Sequence, residues 1–567
     1  MEAERSRPWA RTPAPELAGR LFEVAEAFYI RGDALASETA ERMGVPPASV
    51  WFESLFPAVW GLLSTASFLK SLRGSLGEIV ASEPIATEDF AGSPALRLLP
   101  ANQFQRLLLP GFSGHVLLRP SPSPPPKQPS TAGLALCLLP FNLAGIGALD
   151  ILHLLCLGPS RVVAKVSEKA SFLKNHLEKM FEPLVSCGAL SFVQGGPDTG
   201  ARLAARPEFD RVHLTGSART AAAVRAIAGQ DKVTCELGGV TPAIVLPEVG
   251  QDSRLLRQVA RQVVFGALAN NGQHCVSFQV VLVPDSLRAP LGQAVAGEMA
   301  LVSRTGGPAG PHRLLIDEAA SSRVAAMVED ARRLGASVTS IGEGARGHRF
   351  PVTLLSGITE EMRLFREEAF GPVVGLASLP DSDFSRAALS RANRPALAGD
   401  LGASVFTPFP NSEPVRQLAR GLKHGVVAIN SYPGVAYATS LPWGPGPGQA
   451  SGRGWVHNFR FLDESRMEKV VLAAPLGRKG PGPLAWEDPW LPNVSGRNPL
   501  RLAKALVRSA LAWFRKQPCR LLAAQWDLVP ALVGRELEAR RQDRLPETHL
   551  YRPYEPSRRR GRGGANH

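Results

Sequence analysis

Cysteine is scarce in this chain of 567 residues: there are 6, at Cys137, Cys156, Cys187, Cys235, Cys275 and Cys519. None forms a Cys-x-x-Cys pair, which excludes a zinc module or disulfide scaffold and suits a reducing compartment. Long apolar runs are missing too. The most apolar stretch, 134–158, is interrupted by Pro140, Asn142, Asp150 and His153, short of the ~20 unbroken apolar residues a membrane span needs. The opening segment MEAERSRPWARTPAPE is charged and proline-broken, unlike a signal peptide. No His/Asp/Glu cluster suggests a metal, so the expectation is a metal-free, soluble, cytoplasmic protein. With 44% hydrophobic and 20% charged residues, disordered and collagen-like classes are excluded, and the length calls for at least two domains.

The formal net charge is +14, which suggests nucleic acid until it is located. From Leu476 onward there are 18 Lys+Arg against 8 Asp+Glu, so the body before it carries only +4. The basicity belongs to the tail. Its arginine-rich end, 558–564, offers only non-specific, salt-sensitive attraction, and nucleic acid is not the expected partner.

Residues 16–75 carry apolar positions at three- and four-residue steps, which predicts helices. A proline-rich connector follows at 119–129 and cannot pair as a central strand. Beyond it, apolar runs alternate with helical stretches: strands at 134–139, 161–165, 189–193, 212–214 and 243–246, and helices at 144–157, 171–184 and 218–228. That alternation predicts an α/β fold around a mostly parallel sheet, with a second βα region over 239–430. In the tail, Asn498-Pro499 reads as an N-cap with proline at the first helical position. Ala503, Leu506, Val507, Ala510, Leu511 and Phe514 then form one apolar stripe on a basic helix. Packing on its own domain is the preferred reading of that stripe, with membrane-surface contact as the alternative.

Chemistry is suggested at several places. Cys275 lies in Asn-Asn-Gly-Gln-His-Cys (270–275), where small and amide neighbours leave a thiol approachable; a lone cysteine is otherwise a small buried hydrophobe. Glu236 precedes a double glycine and reads as a solvated loop charge or a positioned base. Thr215-Gly-Ser217 joins a strand to a helix, and free N–H groups at a helix start can face a phosphate. Lys165 and Glu168 close another strand, and alone would be read as a surface ion pair. Asn142 has an amide suited to an oxyanion or merely to a turn.

In this order the segments LLPFNLAG (138–145), RVVAKVSE (161–168), QGG (194–196), VHLTGSART (212–220), CELGGVTPAIV (235–245), NNGQHC (270–275), EEAFGPVVG (367–375), GVVAIN (425–430) and EKVVLAAP (468–475) resemble the aldehyde dehydrogenase superfamily over residues 15–475. The resemblance implies a Rossmann-like cofactor domain over 1–108 and 132–238, and an α/β catalytic domain over 239–432. It also implies a bridging and oligomerisation element over 109–131 and 433–475, leaving 476–567 as a partly helical basic extension. Cys275 would be the nucleophile, Glu236 the general base that activates water, and Asn142 an oxyanion donor. Leu139, Phe141, Lys165, Glu168, Gly196, Gly216, Ser217, Leu237, Gly238, Glu368 and Phe370 would meet the cofactor. A carboxylate at Glu168 favours NAD over NADP. The terminal strand near 468–475 commonly crosses to a partner in this superfamily, so a homodimer or dimer of dimers is expected, with a small-molecule aldehyde as substrate.

The sequence also departs from the superfamily. Phe141 stands where tryptophan is usual, Ala221 where glycine often closes the phosphate turn, and Ile151 where many members keep a lysine nine residues after the asparagine. These departures motivate the alternative of a non-catalytic scaffolding or binding member. Glu236 counts against a second alternative, a coenzyme-A-acylating enzyme.

Overall fold

The computed structural model describes residues 12–71, 87–100, 105–106, 109–119, 133–157, 161–305, 312–342, 344–446, 455–456, 466–476 and 497–515. The proline-rich connector at 120–129, the side chain of Ala503 and the arginine-rich end lie outside the described residues.

The chain begins with a 30-residue helix, Ala14–Met43. Proline stands in its first turn, and Gly44 ends it in the left-handed region at φ 62°, its N–H donating to the Ala40 carbonyl. Such a stop favours a residue without Cβ. Leu17, Leu21, Phe28 and Leu35 are fully buried along one face. A short helix, Pro47–Val50, a π-turn, Trp51–Leu55, and the helix Phe56–Ser71 complete this layer.

A five-stranded parallel sheet runs in the order Leu190–Gly195, Arg161–Ser167, Leu134–Leu138, Arg211–Gly216, Val233–Leu237. The chain starts in the middle, builds outward on one side and then returns to build on the other. The switch point therefore falls between Leu134–Leu138 and Arg211–Gly216, and ligands in open α/β sheets bind outside the carboxyl ends of strands at such a point. Helix Ala144–Leu157 packs on this sheet and against Phe56–Ser71. Because it is covered on several sides, it is apolar nearly all round.

The second sheet has twelve strands. Its parallel centre comprises Val426–Ile429, Gly402–Phe406, Thr241–Val245, Phe278–Pro284, Val373–Leu379 and Arg349–Ser356. At one end Met467–Ala473 joins parallel to Val426–Ile429, and its other edge pairs antiparallel with Ser113–Leu118, itself paired to Ser93–Leu99 and then Thr87–Phe90.

Two sequence expectations are adjusted here. Strands 87–99 fall in the stretch assigned to the cofactor domain, yet they belong to the large sheet, because their alternating pattern finds its partner at 113–118. The strand expected to cross to another subunit, 468–475, is seated in its own chain's sheet. The apolar stripe of the extension packs as preferred from sequence: helix Arg497–Phe514 joins the N-terminal helices. Ala505, Leu506, Val507, Ala510 and Leu511 are buried, Phe514 meets Trp60 edge-to-face at 5.9 Å, and Lys504 and Arg515 pair with Asp33 and Glu26 at 2.5 and 2.6 Å. The described part of the stripe packs on its own molecule. Among the described residues no helix is long and apolar enough to cross a membrane.

Candidate active site

Each strand of the five-stranded sheet delivers predicted site residues at its carboxyl end. Leu139 and Phe141 follow Leu134–Leu138, Lys165 and Glu168 end the next strand, Gly196 follows Leu190–Gly195, Gly216 and Ser217 end the fourth, and Leu237 and Gly238 end the fifth. The Glu168 carboxylate lies over Gly196, where a Cβ would come within 2.7 Å of its Oε2. Ser217 caps helix Ala218–Ala228, its side chain accepting from Thr220 N–H, so the helix start faces the strand ends. Ala221 is buried in the apolar cluster with Leu214 and Val224. Its methyl faces the core, which explains how alanine is accommodated in place of glycine.

The loop 269–277 is shaped by its amides. Asn270, Asn271 and Gly272 occupy consecutive left-handed conformations at φ 46°, 60° and 75°, a path that asparagine and glycine tolerate best. Gly272 also has no room for a Cβ, which would strike the Gly371 carbonyl. Asn271 Nδ2 donates to the Met43 and Leu314 carbonyls at 2.6 and 3.2 Å. Gln273 Nε2 donates to Leu314 O, and its Oε1 accepts from Ile316 N–H at 2.8 Å. Asn142 Nδ2 donates to Gln273 O at 3.0 Å, while Asn270 Nδ2 bridges Asn142 O and Gln273 O, each at 3.1 Å. Asn142 is thereby fixed two residues from Cys275, and only one of its two amide protons is engaged in these bonds.

Cys275 is half-buried and lines one cavity together with Glu236 and Thr215. Burial and the nearby Glu368 and Glu236 carboxylates push its thiol well up, while its own backbone N–H pulls the other way. Glu236 is buried, and its Oε1 has no hydrogen-bond partner. Burial holds its carboxyl well above the usual range, and Asp150 and Asp400 add to the effect. Glu368 sits against Gly238, leaving no space there for a side chain. Burial raises it to about 8, opposed by Arg323 and the Gly239 N–H. Arg323 donates to the Glu368 and Ala369 carbonyls. Gln279 clamps the same turn, donating to Glu367 O and accepting from Ala369 N–H, both at 2.7 Å. Phe370 meets Phe141 edge-to-face at 6.1 Å.

Thus Cys275 and Glu236 share one cavity, Asn142 is bonded two residues from Cys275, and most of the cofactor set lies at the strand ends of the five-stranded sheet, with Glu368 reaching Gly238 from the turn before Val373–Leu379. Two groups at the site were not singled out from sequence. His274 Nδ1 is 3.8 Å from Cys275 Sγ, and its Nε2 bonds the Tyr437 hydroxyl at 2.8 Å; burial lowers this imidazole to about 3. Asp150, fully buried, accepts from Thr215 Oγ1 at 2.8 Å. The signal for Asp150 was present as a charged residue inside the most apolar helix. Among the described residues no group of acidic, His and Cys side chains could hold a metal.

Residues 127–461 match the family model described as the aldehyde dehydrogenase family. The chain is similar to a vanillin dehydrogenase of Pseudomonas fluorescens, 28% identical over 350 residues that span 59% of this chain and 69% of that one. A succinate-semialdehyde dehydrogenase [NADP(+)] of Deinococcus radiodurans is 33% identical over 48% of this chain and 56% of its own length. Among solved structures, an NAD-dependent aldehyde dehydrogenase from Sinorhizobium meliloti superposes with a TM-score of 0.62 at 25% identity, covering 85% of this chain and 86% of that one. With a family model matching more than half its length and a fold shared across both sheets, this chain belongs to the aldehyde dehydrogenase family.

Proposed function

We propose that the chain oxidises an aldehyde to a carboxylic acid with NAD, through a covalent intermediate on Cys275. The observation that supports this most is the cavity shared by the Cys275 thiol and the buried Glu236 carboxyl, beside which the Asn142 amide is bonded to the Gln273 carbonyl two residues from Cys275.

The residues present fit a dinucleotide. Glu368 Oε1 is buried without a partner, Gly196 and Gly238 leave cradles that a side chain would fill, and the capped helix start at Ser217 suits a pyrophosphate. Lys165 and Glu168 would hold the adenosine ribose, Gly216 and Ser217 the phosphates, and Glu368 with Phe370 the nicotinamide ribose. When bound, NAD accepts the aldehyde hydrogen as hydride. A carboxylate at Glu168 would repel a 2′-phosphate, which favours NAD over NADP.

Cys275 attacks the aldehyde carbon as thiolate. The free amide proton of Asn142 and the Cys275 N–H face the developing oxyanion; one such donor is typically worth roughly 3 kcal/mol of barrier. After oxidation a thioester remains on Cys275. Glu236 takes a proton from water, the water oxygen bonds to the acyl carbon, and the carbon–sulfur pair returns to sulfur. Ile146, Leu401, Pro433, Tyr437 and Trp443 wall the cavity, so an uncharged, largely apolar aldehyde is the substrate class that fits. We also propose a homo-oligomer, by likeness to the family.

The test is NADH formation from short, long-chain and aromatic aldehydes, without coenzyme A, with Cys275→Ala in parallel. Turnover that vanishes in the variant is the expected outcome. NAD binding without turnover on any aldehyde would overturn the enzymatic reading in favour of a scaffold.

A further inference from the structure

The proton that Glu236 removes from water has to leave a buried cavity. Ile151, where the family resemblance expects a lysine, is fully buried in the apolar core and cannot carry it. One residue earlier stands Asp150, also fully buried, with Thr215 Oγ1 donating to its Oδ2 at 2.8 Å. Its Oδ1 faces Nε2 of the fully buried His213 at 3.5 Å, and neither atom has a hydrogen-bond partner. His213 Nδ1 and Thr234 Oγ1 are 2.9 Å apart. The parallel register sets Thr215 opposite Glu236 and His213 opposite Thr234, and residues two apart on a strand share a face.

These contacts form one line. Thr215 and Glu236 both line the cavity holding Cys275, and Thr234, at the other end, is only half-buried. A fully buried Asp–His pair is expensive to maintain, and an apolar pair would serve the core as well or better. Its connection to both a reactive cavity and a less buried hydroxyl gives it a task.

We propose that Asp150 and His213, linked by the hydroxyls of Thr215 and Thr234, form a relay that takes the proton from Glu236 during hydrolysis of the acyl-enzyme and hands it outward. This rests on the reading of Glu236 as the base. Glu236 gives the proton to the Thr215 oxygen as the hydroxyl's own proton passes to Asp150, which passes it to His213 Nε2. His213 then releases its Nδ1 proton through Thr234. Net, the thioester and one water become carboxylate, the Cys275 thiol and one released proton, with no redox change. The ionisable groups facing the relay are Cys137, opposite His213 on one neighbouring strand, His153 on the same helix with its ring 5.8 Å from that of His213, Glu236 on the other neighbouring strand, and Cys275 and Asp400, which share the electrostatic surroundings of Glu236.

An activated ester such as p-nitrophenyl acetate acylates a reactive thiol without NAD, so hydrolysis can be read alone in the full-length chain. Stopped-flow traces should show the wild-type burst amplitude retained in Asp150→Asn and Thr215→Val. Their steady-state rates should fall roughly tenfold or more. The acid limb should move to lower pH in Asp150→Asn, because the charge that helps raise Glu236 is gone. Thr215→Ser should restore the rate to within about threefold, since the hydroxyl returns. Should Asp150→Asn fail to fold, the Thr215→Val and Thr215→Ser pair decides. Unchanged burst and steady-state rates in the folded variants overturn the relay. Glu236→Gln separates the two readings. If it hydrolyses normally, the base assignment falls and takes the relay with it. If it is defective while Asp150→Asn and Thr215→Val are normal, only the relay falls.

Discussion

The loop that carries Cys275 and the rim that carries Lys165, Glu168 and Gly196, assigned to the two sides of the proposed cleft, are built in opposite ways. In the loop, Asn270, Asn271, Gln273 and His274 are buried, and the three amide side chains among them spend their bonds on backbone carbonyls or N–H groups of distant segments. At the rim Glu168 is exposed and Lys165 half-buried. A reacting sulfur must be held to a fraction of an ångström, whereas a cofactor that comes and goes needs an open approach. The first requirement draws on side chains that over-determine the backbone; the second needs only small residues and a well-placed charge.

The comparison is broken most severely by loosening the loop. Asn271→Ala takes the side-chain donor from the Met43 carbonyl, leaves the Leu314 carbonyl to Gln273 alone, and puts alanine at φ 60°. Stranding buried partners costs about 1–3 kcal/mol and the conformation about 1 more. Turnover should fall on the order of a hundredfold, because a misplacement of about 1 Å is enough to do so. Steady-state kinetics and thermal unfolding together test this; a variant with native melting and native turnover would show that the loop is not held by these bonds.

The next effect concerns ionisation within the loop's cavity. As the proposed base Glu236 would act only when ionised, and burial raises its carboxyl well above the usual range. The ionised fraction therefore grows as pH rises through that raised value. Hydrolysis of the acyl-enzyme should show an acid limb clearly above the ~4.3 of a free glutamate. A pH–rate profile with its limb at or below that value would contradict the buried, charge-crowded setting.

Much of this contrast was legible in the chain. Motif order pointed to Cys275, Glu236 and Asn142, and the alternation of apolar runs placed four strands of the five-stranded sheet within a residue or two, but it passed over the fifth, Val233–Leu237, and its run at 243–246 belongs to the large sheet. The sequence did not show that Asn271 and Gln273 reach Met43, Leu314 and Ile316, because such bonds depend on tertiary neighbours far along the chain. Nor did it show that 87–99 pairs with 113–118, since a half-buried hairpin reads alike whichever sheet receives it. Asp150 was visible as an interruption of an apolar helix, but its partners on strand Arg211–Gly216 were not.

A milder effect is expected where neither part of the cleft is touched. Helix Arg497–Phe514 buries Leu506 completely against the N-terminal helices. Leu506→Ala should remove about 2–5 kcal/mol of stability while leaving turnover per folded molecule unchanged. Thermal melts beside active-site titration with an alkylating reagent would check it. A large loss of turnover without a loss of stability would mean the helix reaches the cleft, and the division between scaffold and site would need redrawing.

The smallest effect, and the one that sharpens the contrast, is at the rim. Glu168 is exposed, its carboxylate lies over Gly196, and its backbone begins a single 3₁₀ turn. Glu168→Gln should leave melting unchanged, because an exposed side chain with so few ties contributes little to folding. The carboxamide keeps the oxygen but removes the charge that would repel a 2′-phosphate. The KM for NAD should rise less than about tenfold and that for NADP should fall, with kcat for each nearly constant, since the interaction is uniform between ground and transition states. A fall in kcat would mean that the rim, like the loop, helps to hold the reacting atoms. The opposition between a fixed loop and an open rim would then give way to a single coupled cleft.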